Sequence, residues 1–195
     1  MPAATSSISA ITDFSERTRS MRAVQIKAFG QPMEVLHLVD PPEPAGLAAG
    51  EVLVGVEYAP INMNDLYLIQ GVFPIRPSLP SVVGNEGMGR ILAIGDGVVH
   101  LKVGDRVLIP LYAFSWRERL VAPATKLFSL PEADPRQLAM LGVNPPTASL
   151  LLDEAPDLPG EWVVQNAANS SVGRSYWVDD QRKCFKKCGG TRSQQ

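Results

Sequence analysis

The residues whose types and spacing could do chemistry fall in two short stretches. The first is Gly84-Asn85-Glu86-Gly87-Met88-Gly89, where three glycines let the backbone pass close to something and a carboxylate stands between them. The second is Asn166-Ala167-Ala168-Asn169-Ser170-Ser171-Val172-Gly173, built from small residues and preceded by the apolar run Trp162-Val163-Val164-Gln165. A tight turn from a strand into a helix lets backbone N–H groups approach a pyrophosphate, with the helix dipole favouring its negative charge. Taken alone the signal is weak, because Ala-Asn-Ser-Ser is also an ordinary turn and Ser171 interrupts the usual glycine pattern. Metal chemistry has less support. His37 and His100 have no cysteine or carboxylate at ligand spacing, and Cys184 and Cys188 supply two ligands where a site needs more.

These stretches need a scaffold, and the pattern around them is that of short strands. Glu51 to Tyr58 alternates, with Val52, Val54 and Val56 facing one way and Leu53, Gly55 and Glu57 the other. Met88 to Ile94 supplies a strand, Gly95-Asp96-Gly97 turns, and Asp105 to Ile109 is the next. Met21 to Phe29 is strand-like, Trp116 to Ala122 alternates again, and Leu127 to Leu130 ends at Pro131. The patch Trp116, Arg117, Arg119 reads as an amphipathic strand with solvated arginines, and Glu86 as a cleft residue held by hydrogen bonds. Many short strands divided by Gly and Pro make a mostly β barrel rather than a helical bundle.

After Pro131 the period changes. Asp134-Pro135 is a helix start, followed by Leu138, Met140 and Leu141, and Pro145-Pro146 opens a second helix carrying Leu150, Leu151 and Leu152. Trp162 to Gln165 then reads as a buried strand of the parallel-sheet type. The barrel is thus followed by the start of an α/β dinucleotide-binding fold.

With 195 residues, 45% of them hydrophobic, the chain can bury one ordinary core and begin a second. A formal charge of −2 argues against a nucleic-acid partner, and no apolar run reaches the length of a membrane span. A small-molecule ligand is the default. The Ser-, Thr- and Ala-rich residues 1–20 are expected to be a disordered extension, and Asp13 and Glu16 count against a transit peptide there.

From Met21 to Gly173 the sequence resembles the medium-chain dehydrogenases and reductases, in their zinc-free branch, and most of all the trans-2-enoyl-thioester reductases. The residues that carry the resemblance are Ala59-Pro60-Ile61-Asn62, Asp65, Ile69-Gln70-Gly71, the Gly84 to Gly89 run, Leu141-Gly142-Val143-Asn144-Pro145 and Gln165 to Ser170. The resemblance implies a GroES-like substrate domain over 21–131 and the start of an NADPH-binding Rossmann-like domain over 132–173, while residues 174–195 depart from it and are expected to be an aberrant, disordered polar tail. It also implies hydride delivery from NADPH to the β-carbon of a conjugated double bond. On that resemblance Asn144, Thr147, Asn169, Ser170, Ser171, Val172 and Gly173 bind the cofactor, and Asn62, Asp65, Phe73, Asn85 and Glu86 line the substrate cleft.

Two departures from the family pattern follow. Where many members carry a zinc-binding histidine this sequence has Asn85, so no catalytic zinc is expected. Where the resemblance puts a tyrosine hydroxyl beside the thioester oxygen, Ile69-Gln70-Gly71-Val72 leads to Phe73. Losing a donor at a developing oxyanion costs about two to three orders of magnitude in rate. Tyr67 could substitute or could simply pack near the cleft. The gap shifts weight towards a quinone oxidoreductase or general alkene reductase.

Beyond Gly173 the pattern of an apolar helix is lost in SYWVDDQRKCFKKCGGTRSQQ, and the strand at Trp162 is expected to lack sheet neighbours. The expectation is therefore a truncated, inactive form with weak or absent NADPH binding and little or no reductase activity. A non-catalytic interaction module is the alternative from another class, and a small independent binding barrel a third. A cytoplasmic location is expected, with a mitochondrial one as alternative, and a homodimer for a chain with a complete cofactor domain.

Overall fold

A computed structural model describes residues 20–154, 162–163, 166–175 and 186–187. Its centre is a five-stranded antiparallel sheet formed by β3 (Glu51–Tyr58), β5 (Met88–Ile94), β6 (Arg106–Leu108), β7 (Arg119–Pro123) and β8 (Phe128–Ser129) in the order β7-β3-β5-β6-β8. A smaller sheet places β1 (Ala23–Ile26) between β2 (Leu36–Val39) and β4 (Ser81–Val82). A bridge from Ala23 to Arg117 and the bond from Val24 N–H to Trp116 O join the two sheets. The expected barrel is thus made of two antiparallel sheets closed on each other.

Alternation explains why β3 is central. Val52 and Val54 are fully buried and meet Ile91, Val107, Ile109 and Leu120 in the main core, while Leu53 and Glu57 lie on the other face. A register shift between Leu53 and Val54 bends the strand where it pairs with β5, as barrel-forming strands require. A second cluster of Ile26, Leu68, Ile69 and Val83 lies under α2 (Met63–Gln70), with α1 (Pro32–Val35) adding Val35 at its edge.

Helix α2 was not expected from the alternation, which favoured an all-β reading. Its start is nevertheless written in the sequence. Asn62 and Asp65 form a capping box, the Asp65 carboxylate accepting the Asn62 backbone N–H at 2.7 Å. The two expected later helices are present. Asp134 accepts the Arg136 N–H at 3.0 Å to open α3 (Pro135–Leu138), and α4 spans Asn144–Asp153. Leu138 and Ala139 pack with Met88 in a third cluster, so α3 is fixed to the β5 side of the main sheet.

The Trp162 strand is described as β9 (Trp162–Val163), and it pairs in parallel with β10 (Lys186–Lys187). A neighbour therefore exists where none was expected, inside the stretch read as an aberrant tail. Arg174 and Ser175 of that tail continue a helical turn from 171, while the rest of it and most of the extension over 1–20 lie outside the described residues. No helix among the described residues is long and apolar enough to cross a membrane.

Candidate functional site

The capping box of α2 is the first layer of a buried polar cluster. Asp65 is 1% exposed, and its second oxygen accepts the backbone N–H of Asn85 at 2.8 Å. One carboxylate thereby fixes both the helix start and the glycine-rich run. That run needs its glycines: Gly84 has φ +100°, and an added Cβ would collide with the Trp116 ring and with Ser115 Oγ. The Ser115 hydroxyl then donates to the Glu86 carbonyl at 2.5 Å, closing the loop against the 110–116 segment.

Glu86 is fully buried in this setting. Its Oε1 accepts from Asn62 Nδ2, and its other oxygen lies against Gly142, where an added Cβ would come within 3.2 Å of Oε2. Burial raises the carboxyl above the ordinary carboxylate range, and the negative charge of Asp65 pushes the same way. The Asn62 amide opposes that rise, and so do the backbone N–H groups of Val143 and Gly142, which face the carboxylate without closing a hydrogen bond to it. Asp65 is also raised by burial, against the two amides it accepts. The two carboxylates thus sit in one dry space, held by neutral donors rather than by cations.

Several buried atoms in this space have no hydrogen-bond partner: Glu86 Oε2, both amide atoms of Asn85, and Asn144 Nδ2. Asn144 is 7% exposed at the first turn of α4, next to the Gly142-Val143 pair that faces Glu86. Orphaned buried polar groups carry a cost of about 1–3 kcal/mol each and mark a place where a ligand can supply the missing partner. Thr147 lies one turn on, its hydroxyl donating to Val143 O at 2.7 Å.

Phe73, at the position of the family's tyrosine, and Tyr67, read as its substitute, are placed differently. Tyr67 is 44% exposed on α2, and its carbonyl accepts the backbone N–H groups of Val72 and Phe73. Phe73 packs on the second core cluster, and its ring centroid lies 6.2 Å from that of Tyr112. Tyr112 had not been singled out in the sequence, because no motif marks it. Arg117, expected to be a solvated strand arginine, is half-buried and donates to Phe114 O and Ala113 O, while Arg119 pairs with Glu43. Backbone carbonyls in a bent loop offer a guanidinium more than water does.

Residues 166–175 form a separate structure. Ser170 Oγ accepts the Gly173 N–H at 3.0 Å and caps a helical turn over 171–175, with Ser175 Oγ donating to Ser171 O. Gly173 is held against Ala167 O, 2.6 Å from where a Cβ would lie. Asn169 Oδ1 is taken by the Arg174 guanidinium at 2.7 Å, and Val172 is half-buried. Among the described residues the hydrogen bonds of this turn are internal, and none joins Asn169 to Gly173 to the cluster of Asn62, Asp65, Asn85, Glu86 and Asn144.

An apolar groove of about 550 Å³ adjoins the cluster, lined in part by Leu36, Leu38, Val56, Ala59, Ile61 and Trp116. Ile61 precedes Asn62 in sequence, and Ser115, which also lines the groove, is bonded to Glu86. Among the described residues no group of three or more His, Cys, Asp or Glu is placed to hold a metal ion.

Comparison with known proteins agrees with this architecture. The alcohol dehydrogenase GroES-like domain family matches residues 48–132. The mitochondrial enoyl-[acyl-carrier-protein] reductase of Mus musculus is 40% identical over 175 residues, 88% of this chain and 45% of that protein. Among solved structures, the mitochondrial 2-enoyl thioester reductase Etr1p/Etr2p heterodimer from Candida tropicalis and the Etr1p/NADP/crotonyl-CoA complex each match with a TM-score of 0.78 and 27% identity. Both matches cover 86% of this chain and 53% of the other. An NADPH:quinone reductase-type protein from Bacillus thuringiensis matches with a TM-score of 0.76 and 29% identity, covering 86% and 51%. The chain spans about half the length of the curated relatives it matches. These likenesses support a zinc-free member of the medium-chain dehydrogenase/reductase superfamily that resembles the enoyl thioester reductases.

Proposed function

We propose that the buried cluster is the substrate side of an NADPH-dependent reductase acting on a conjugated carbon–carbon double bond, with 2-enoyl thioesters as the substrate class. The observation that carries this is the convergence of unpartnered buried atoms of Asn85, Glu86 and Asn144 at the junction of barrel and α4. The residues fit a dinucleotide: Asn144 has a free buried donor, and the small-residue turn over 166–170 leads into a helical turn over 171–175, whose start favours a phosphate. Asn144, Thr147 and residues 169–173 would hold NADPH, which supplies a hydride when bound.

The chain's own residues do the rest. Asp65 and Asn62 fix the cleft wall, Glu86 orients the Gly142-Val143 backbone beside Asn144, and water is excluded by the packing around them. NADPH binding is expected to be weak, because the turn over 166–175 meets its own hydrogen-bonding needs, and turnover is then slow. The thioester reading is supported by the apolar groove beside Asn62, which suits an acyl chain, and by the crotonyl-CoA in the complex of the structural relative. A quinone substrate is the second reading, supported by Phe73, which brings no hydroxyl to the cleft. The mitochondrial names of the relatives support the mitochondrial location over the cytoplasmic one, and the Etr1p/Etr2p heterodimer supports a dimer.

Calorimetric titration with crotonyl-CoA, a longer 2-enoyl-CoA and a benzoquinone separates the readings. The expected result is saturable enoyl-CoA binding that strengthens with acyl length. Saturable binding of the quinone alone would overturn it.

A further inference from the structure

We propose that Tyr112 is the hydroxyl donor of this cleft and stands in for the tyrosine that Phe73 replaces; the inference rests on the thioester reading above. The ring of Tyr112 lies against the ring of Phe73, with centroids 6.2 Å apart and planes tilted by 41°, and this is the one aromatic pair found among the described residues. Its backbone N–H donates to Asn85 O at 3.1 Å, which ties it to the glycine-rich run. The preceding Leu111 packs on Gly142, where an added Cβ would lie 3.2 Å from its Cδ2. Tyr112 therefore sits between the Phe73 side of the cleft and the turn that carries Asn144.

The backbone there is costly. Tyr112 has φ +62° and Phe114 φ +58°, conformations that bulky side chains rarely adopt. Arg117 holds the segment in place by donating to Ala113 O and Phe114 O. Such strain persists only where the surroundings over-determine it, and it holds a half-buried tyrosine, whose hydroxyl has no hydrogen-bond partner among the described residues, against Phe73 and the glycine-rich run. Tyr67 is less suited, being exposed on α2 and linked to Phe73 through its carbonyl.

The hydroxyl would donate to the thioester oxygen, so the test reads that oxygen directly. Crotonyl-CoA labelled with carbon-13 at the carbonyl is bound to the chain, and its carbonyl stretch is followed by difference infrared spectroscopy. The wild-type chain should lower the stretching frequency, Tyr112→Phe should abolish the shift and weaken binding roughly tenfold, and Phe73→Tyr added to Tyr112→Phe should restore the shift. Recovery by the exchanged pair is not expected of a residue that only packs. An unshifted carbonyl in the wild type, or a shift that survives Tyr112→Phe, overturns the role of Tyr112 and leaves the thioester reading intact. A lost shift that the exchanged pair fails to restore also overturns it. Failure of the wild type to bind crotonyl-CoA overturns the thioester reading itself.

Discussion

The cleft around Asp65 and the turn over 166–175 are both polar and both face the same proposed chemistry, yet they are built in opposite ways. In the cleft, hydrogen bonds join residues far apart in sequence, Asn85 to Asp65, Asn62 to Glu86 and Ser115 to Glu86, and all are part-buried or buried. In the turn they join residues three to five apart, and most of the side chains are exposed. A site of the first kind exists only when the barrel has folded. One of the second kind is shaped by its own short sequence.

This contrast predicts where substitutions hurt. Asp65→Ala leaves two backbone N–H groups without an acceptor, at about 1–3 kcal/mol each, so urea unfolding should show a loss of roughly 2–5 kcal/mol. Gly84→Ala puts a side chain at φ +100° against Trp116 and should cost about 2–4 kcal/mol in the same measurement. Gly173→Ala meets backbone rather than side chains, its Cβ 2.6 Å from Ala167 O, but distorts only a local turn. Its unfolding free energy should stay within about 1 kcal/mol of wild type, while NADPH affinity falls. A large global loss from Gly173→Ala would break the comparison.

A smaller effect concerns pH. The Glu86 carboxyl is raised above its ordinary value of 4.5, so the folded state keeps a proton that the unfolded state has released. Its contribution to stability is full below that value and is lost as pH rises through the folded one. Glu86→Gln, which does not titrate, should flatten the decline in unfolding free energy as pH rises above 4.5. An unchanged profile would show that Glu86 is not the buried acid described here. The smallest expected signal is zinc: elemental analysis of tag-free protein should find no stoichiometric metal, and one zinc per chain lost on mutating the barrel would contradict the reading of Asn85.

The same contrast decides how much the sequence revealed. Glu51–Tyr58 and Met88–Ile94 were legible as strands with these bounds, because half-buried strands alternate, and the helix starts at Asp134 and Asn144 were legible from their prolines. The local turn around Ser170 and Gly173 was legible for the same reason: its partners are its neighbours. Helix α2 was missed although Asn62 and Asp65 carry a capping signal, since it is only eight residues long and no apolar stripe runs along it. Glu86 was read as a cleft residue, but its contact with Gly142 joins the barrel to the helical segment and has no trace in local pattern. Tyr112 was invisible for a like reason, its neighbour Phe73 lying far back along the chain.

The most direct test of the central claim follows the hydride. The chain is incubated with NADPH deuterated at the nicotinamide C4 and with a 2-enoyl-CoA, and the acyl product is analysed by mass spectrometry over a time long enough to detect slow turnover. The account predicts a saturated acyl thioester carrying deuterium on its β-carbon. Consumption of a quinone under the same conditions, with no deuterated acyl product from the thioester, would contradict it.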